Sequence, residues 1–264
     1  GAADLDLLEL GVYEIETTGT YVLAVGDRAG GTGDGGVTID RVRASSSITV
    51  DDDLVDCPDA TTTSLVAALA AVTAGGTVNV CAGVYSAPTT LQPANADVTI
   101  AGAGEQQTVL SRPDRGSVLA VDDGLTSLRD LTIETTQGSL STGVFLFGNT
   151  AGGEIRNVTF RAAPGTGNTN IALDVSSIDG LVVSDCSFLD TTRATEFSNS
   201  DDVVFRSNTI TGGFGQVEFS GGDRASIRDN VFDTDEVGSI LDVTGGAGHE
   251  ILDNVATIAT SDIG

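Results

Sequence analysis

One phrase recurs through the second half of this chain, and it decides what the chain can fold into. It reads SLRDLTI (127–133), EIRNVTF (154–160), VVSDCSF (182–188), VFRSNTI (204–210), SIRDNVF (226–232) and EILDNVA (250–256). Its central position runs Leu131, Val158, Cys186, Asn208, Asn230 and Asn254, in steps of 27, 28, 22, 22 and 24 residues. A second phrase precedes each copy: VLAVD (118–122), VFLFG (144–148), ALDVS (172–176), ATEFS (194–198), QVEFS (216–220) and ILDVT (240–244). Two strand-like phrases in fixed order form one coil of a solenoid. A single coil cannot bury its own apolar face, so the coils must stack. Glycine, Asn, Asp and Ser punctuate the runs, as turns between short strands require.

Composition removes several function classes. Twelve basic residues against 38 acidic ones leave a net charge of −26, and every basic residue is Arg. Such a chain offers no basic patch for nucleic acid. No apolar run approaches the ~20 residues of a membrane-spanning helix. Hydrophobic residues make up 40% of the chain, enough for a packed core despite the charge. The absence of Met suggests a processed or excised chain, from which a signal peptide could have been removed.

A single helix is expected over Thr61–Thr73, with Leu65, Val66, Leu69 and Val72 as its apolar stripe and Gly75-Gly76 as its stop. The column Asn208, Asn230, Asn254 suits an inward bend where side-chain amides pair from coil to coil. That ladder resembles the right-handed parallel β-helix of the pectate-lyase-like superfamily. The stretch DCPDATTTSLVAALAAVTAGGTVNVCAGVYSAPTTL (56–91), followed by VTIAGAG (98–104), is similar to the helix-capped opening of such proteins. The resemblance covers about residues 55–258. It implies an all-β solenoid of roughly eight coils over residues 51–264, with the helix as an N-terminal cap. It also implies a Cys57–Cys81 disulfide and hence an extracellular or cell-surface location. Cys186 falls in the inward column and reads as a small buried hydrophobe.

Residues 1–50 read differently. LDLLEL, VYEIET, YVLAVG and VTIDRVRA are strand candidates, and TTGTYVLAVGDRAGGTGDGGVTI resembles the closing strands of an extracellular β-sandwich module. Too few strands are present for a sandwich. They suit either a local cap or a sheet completed by another chain.

The preceding phrase carries the candidate chemistry. Apolar residues flank one position, so alternation turns that position outward. The outward column reads Ala120, Leu146, Asp174, Glu196, Glu218, Asp242, beside a second column of Asp122, Gly148, Ser176, Ser198, Ser220, Thr244. Four carboxylates stacked ~4.8 Å apart repel one another unless something compensates. Three readings follow: a cation stripe, Ca²⁺ by ligand type; a catalytic carboxylate cluster; or the solvated face of a protein acidic everywhere. By resemblance the column lies on the sheet that carries the active site in pectate lyases, which use Ca²⁺-binding acids with an Arg or Lys base. Arg193 and Arg224 are expected in turns rather than on that sheet, and Phe197 and Phe219 inside it. His249, the sole His, is expected exposed in a turn. The G-H-G and R-x-K phrases of polygalacturonase-like hydrolases are missing, and no pectinesterase-like Asp, Asp, Arg set is evident. Asp51-Asp52-Asp53 and Asp201-Asp202 read as turn residues.

With familiar catalytic signatures missing, the leading expectation is a structural or adhesive subunit, assembling with itself or with other surface proteins and stabilised by calcium. The alternative is a polysaccharide lyase or glycoside hydrolase working through Asp174, Glu196, Glu218 and Asp242. A carbohydrate-binding module is the third class.

Overall fold

The computed structural model describes residues 42–86, 90–122, 125–135, 141–148, 152–163, 169–234 and 239–258. The chain divides at Arg41/Val42 into two units, and the strand candidates of residues 1–41 lie outside the described residues.

Parallel strands wind into a solenoid with three faces. The first face stacks Gly116–Asp122, Ser141–Phe147, Thr169–Ser176, Thr191–Ser198, Gln216–Ser220 and Leu241–Thr244 in chain order. The second face runs from Ser45–Val50 and Val72–Val80 to Ser226–Arg228 and Glu250–Leu252, nine rungs among the described residues. The third continues from the second through a bend and ends at Val231–Thr234 and Val255–Ile258. Every described pairing between strands is parallel, with chain neighbours on each face separated by a whole coil.

The bend explains the repeated phrase. Asp130, Asn157, Asp185, Ser207, Asp229 and Asp253 all take left-handed conformations, with φ between 51° and 59°. Asp and Asn tolerate that region better than other non-glycine residues. The residue after each one points inward. In the later coils it is Asn, and Asn208 and Asn230 are 1% and 0% exposed. Asn230 Oδ1 accepts from the Asn208 backbone N–H (2.9 Å) and Nδ2 (3.1 Å). Asn230 Nδ2 donates to Phe205 O (2.9 Å) and Asn254 Oδ1 (2.9 Å). Asn208 Oδ1 closes the series by accepting from the Cys186 N–H at 3.0 Å. Cys186 is buried, and burial pushes its thiol up to about 12, which makes it inert.

The core is a stack of like residues. Phe160 and Phe188 lie 4.9 Å apart with nearly parallel rings, and Phe197 sits 4.5 Å from Phe219. Each fully buried Phe contributes about 3 kcal/mol by area.

At the N-terminal end two sequence expectations need adjustment. The helix is shorter than Thr61–Thr73 and spans Leu65–Ala71, with Ser64 Oγ accepting from the Ala67 N–H. Thr61 and Thr62 instead donate their N–H groups to Thr49 O, and Val72 leaves the helix to open a strand. Leu65, Ala68 and Leu69 face the core, whereas Val66 is exposed. β-Branched Val72 and Thr73 favour the strand, so the helix stops before Gly75-Gly76. The solenoid also begins before residue 51. Ser45–Val50 pairs parallel with Val72–Val80, and its Ile48 and Val50 are fully buried. Cys57 and Cys81 form a disulfide, with 6.4 Å between their Cα atoms, tying the loop before the helix to the strand after it.

Candidate functional site

The register of the first face places Asp174, Glu196, Glu218 and Asp242 opposite one another on four consecutive rungs. Leu173, Val175, Phe197, Val217 and Phe219 are buried on the inner side, so the carboxylates point outward. Ser176, Ser198, Ser220 and Thr244 form the parallel hydroxyl column, with Ser198 Oγ 3.4 Å from Ser220 Oγ.

One rung earlier the expected column slips by a residue. Asp174 pairs with Phe145, not Leu146, and Ser176 pairs with Phe147, not Gly148. Leu146 faces the core at 3% exposure. In Val144-Phe145-Leu146-Phe147 every position is apolar, so composition alone fits either alternation. A one-residue slip then exchanges inside for outside. Gly143 helps to fix the true register, because a Cβ there would collide with Ala172 O across the rung. Two half-buried phenyl rings therefore stand on the outer face, stacked at 4.8 Å with 24° between their planes.

Arg193 is the second residue the sequence misplaced. It lies within the strand Thr191–Ser198, not in a turn, just before an irregularity in register against Gln216–Ser220. Its guanidinium pairs with Glu196 and reaches Glu218 at 3.5 Å. One arginine from the same face thus serves both carboxylates at the middle of the row and balances one of their two charges. Arg224 does lie in a turn. It grips Asp202 through Nε (2.7 Å) and Nη2 (2.8 Å), away from the row.

Asp174 stands at the junction of the apolar and charged halves. Burial pushes its carboxyl up to about 6, the neighbouring Glu196 charge pushes the same way, and Arg193 partly opposes them. Its group therefore holds a proton well above the ordinary carboxylate range, beside a carboxylate one rung away. Asp242 closes the row beyond Glu218 on the last rung. His249 is half-buried rather than exposed. Its Nδ1 accepts from the Ala225 N–H at 3.3 Å and Nε2 lies 3.2 Å from Gly245 O, so it braces a turn.

A tighter grouping of acids lies elsewhere in the solenoid. Among the described residues, the carboxylates whose oxygens converge within 4.8 Å as a group of three are Asp51, Asp52 and Asp53. In the row itself, Glu196 and Glu218 are met by Arg193.

Comparison with known proteins places the fold. A family model described as the right-handed β-helix region matches residues 117–260, more than half of the chain. The chain belongs to the right-handed β-helix family. No curated protein sequence matches it. A solved structure of a pectin methylesterase from carrot is similar at 12% identity and a TM-score of 0.45, over 81% of this chain and 88% of that one. At that distance the likeness says nothing of chemistry.

Proposed function

We propose that this β-helix protein acts on a polysaccharide at the cell exterior, with the outer side of its first face as the working surface. The carrying observation is Asp174: an outward carboxyl raised to about 6, flanked on adjacent rungs by Phe145 and by Glu196. An acid poised near neutrality suits proton donation to a leaving glycosidic oxygen. One rung is ~4.8 Å, close to the ~5 Å that separates the two carboxyl groups in retaining glycosidases, so Glu196 is the partner carboxylate. Phe145 and Phe147 offer apolar ring faces against which a sugar ring packs. Arg193 orients Glu196 and Glu218 and is engaged by both, which argues against a free arginine base and hence against a lyase. The disulfide supports an oxidising compartment. No helix among the described residues is long and apolar enough to cross a membrane.

The test is release of reducing ends from a panel of neutral, cationic and acidic polysaccharides. Wild type is expected to cut at least one of them, with the basic limb of the rate profile near pH 6. Asp174→Asn is expected to lose at least 100-fold, on the scale of a general acid. No cleavage across the panel, or an unimpaired Asp174→Asn variant, overturns the reading.

A second reading, the structural or adhesive subunit, is favoured by a different observation. On the last rungs Ile251, Leu252 and Val255 are 51%, 52% and 57% exposed beside edge strands. Exposed apolar side chains on strands of this kind invite another chain. Electron microscopy of the full chain, with and without calcium, decides it. Regular fibres support assembly, and dispersed monomers in both conditions exclude it.

A further inference from the structure

A different acidic group deserves a role of its own. Asp51 follows the strand Ser45–Val50 and is 0% exposed. Its Oδ2 accepts from the Cys57 N–H at 2.7 Å, but its Oδ1 is buried with no hydrogen-bond partner. Among the described residues it is the one carboxylate oxygen in that condition. A buried, half-satisfied carboxylate is costly unless a positive charge meets it.

The surroundings supply more negative charge. One oxygen each from Asp51, Asp52 and Asp53 lies within 4.8 Å of the others. No arginine among the described residues forms an ion pair with any of the three. Backbone contacts hold the carboxylates together. Asp52 Oδ2 accepts from the Val84 N–H at 3.2 Å, and Asp53 Oδ1 from the Val55 N–H at 2.9 Å. The Asp52 carboxylate packs over Gly83, where a Cβ would collide with it. Tyr85, 5% exposed, donates its hydroxyl to Val50 O or Cys81 O beside the group.

We propose that Asp51, Asp52 and Asp53 bind a divalent cation, calcium by the chemistry of an all-oxygen donor set. Carboxylate oxygens are hard ligands, and calcium accepts irregular geometry completed by water and backbone carbonyls. The ion supplies the counter-charge that Asp51 lacks. It links the end of the first rung to Gly83–Tyr85, next to the Cys57–Cys81 bridge, as a second clamp on the first coils. This site is independent of the carboxylate row on the first face.

The chain has no Trp and three Tyr, so terbium, a calcium mimic excited through tyrosine, reports binding directly. With the full-length chain, terbium emission is expected to saturate and to be displaced by calcium. Calcium is expected to raise the Tm of wild type. The double variant Asp52→Asn/Asp53→Asn alters exposed side chains. It should fold, lose the terbium signal and lose the calcium-induced rise in Tm. Asp51→Asn should raise the Tm in chelator and abolish the calcium response. Glu196→Gln/Glu218→Gln should leave both responses intact. The proposal is overturned if millimolar calcium leaves the wild-type Tm unchanged. It is equally overturned if the Asp52/Asp53 variant keeps the full response.

Discussion

Two ladders run along this solenoid, and they solve the stacking problem in opposite ways. At the inward bend, Asn208, Asn230 and Asn254 repeat in a dry core. On the first face, Asp174, Glu196, Glu218 and Asp242 repeat at the surface. An amide carries both donor and acceptor, so identical amides satisfy one another indefinitely. An ionised carboxylate only accepts, so a row of them must borrow from elsewhere. Asp174 keeps its proton up to about pH 6, and Glu196 and Glu218 borrow one guanidinium. In a neighbouring turn Asp179, Asp201 and Asp223 borrow backbone N–H groups from the next coil, at 2.8, 2.8 and 2.7 Å. Self-sufficiency makes the amide ladder structural, and dependence leaves Asp174 raised toward neutrality on the carboxylate row.

The largest test breaks the inward ladder. Asn230→Ala orphans Phe205 O and the Asn208 N–H in the core, at about 1–3 kcal/mol for each buried group, plus a cavity. Denaturant unfolding should show a loss of about 4 kcal/mol. Asn230→Asp keeps the shape but only accepts, and should lose most of the same stability at neutral pH. Wild-type stability in that variant would contradict the donor–acceptor account.

Next comes the covalent counterpart near the first rungs, where Cys81 directly follows the strand Val72–Val80. Replacing Cys57 and Cys81 together by Ser should cost about 3 kcal/mol for the loop their bridge closes, read by the same unfolding curves.

The outer row predicts smaller shifts of defined sign. Asp174 is raised in the fold, so the folded state holds its proton up to about pH 6 while the unfolded chain releases it near the ordinary carboxylate value. Stability from this residue is therefore full below the unfolded pKa and falls as pH rises through about 6. Asp174→Asn should be more stable than wild type at pH 7, by roughly 1 kcal/mol after allowing for solvent screening. The difference should vanish below pH ~4. An unchanged pH profile would remove Asp174 as the poised acid.

Arg193→Gln should cost roughly 0.5–1 kcal/mol, as a partly exposed pair does. It should also push the Asp174 carboxyl further up, since Arg193 is what holds it down. An NMR titration of Asp174 checks the direction. The smallest effect belongs to Arg224→Gln. Its pairs with Asp201 and Asp202 are exposed, so unfolding should not change measurably. The Asp202 carboxyl, lowered by its hydrogen bonds from Arg224, should return upward.

How much of this was legible depends on whether neighbouring residues differ in polarity. At Leu173-Asp174-Val175 and Val217-Glu218-Phe219 a charge sits between apolar flanks, so alternation has one solution and the carboxylate row reads directly. At Val144-Phe145-Leu146-Phe147 no polar residue anchors the alternation, and the aromatic pair was placed one residue out of step. Arg193 was read as a turn residue because the Ala194 irregularity interrupts the alternating pattern around it. Asp51 carried no local signal at all, since three consecutive Asp residues look alike until one is buried.

The sequence by itself determined the repeat, the inward Asn column, the glycine and Asp punctuation and hence a parallel solenoid, because each is a local pattern copied coil after coil. Tertiary structure decided which phenylalanines face outward, which carboxylates Arg193 reaches and which Asp lies beneath the surface. Those outcomes depend on register between coils 22 to 28 residues apart, where one step along a strand exchanges the two sides of the sheet.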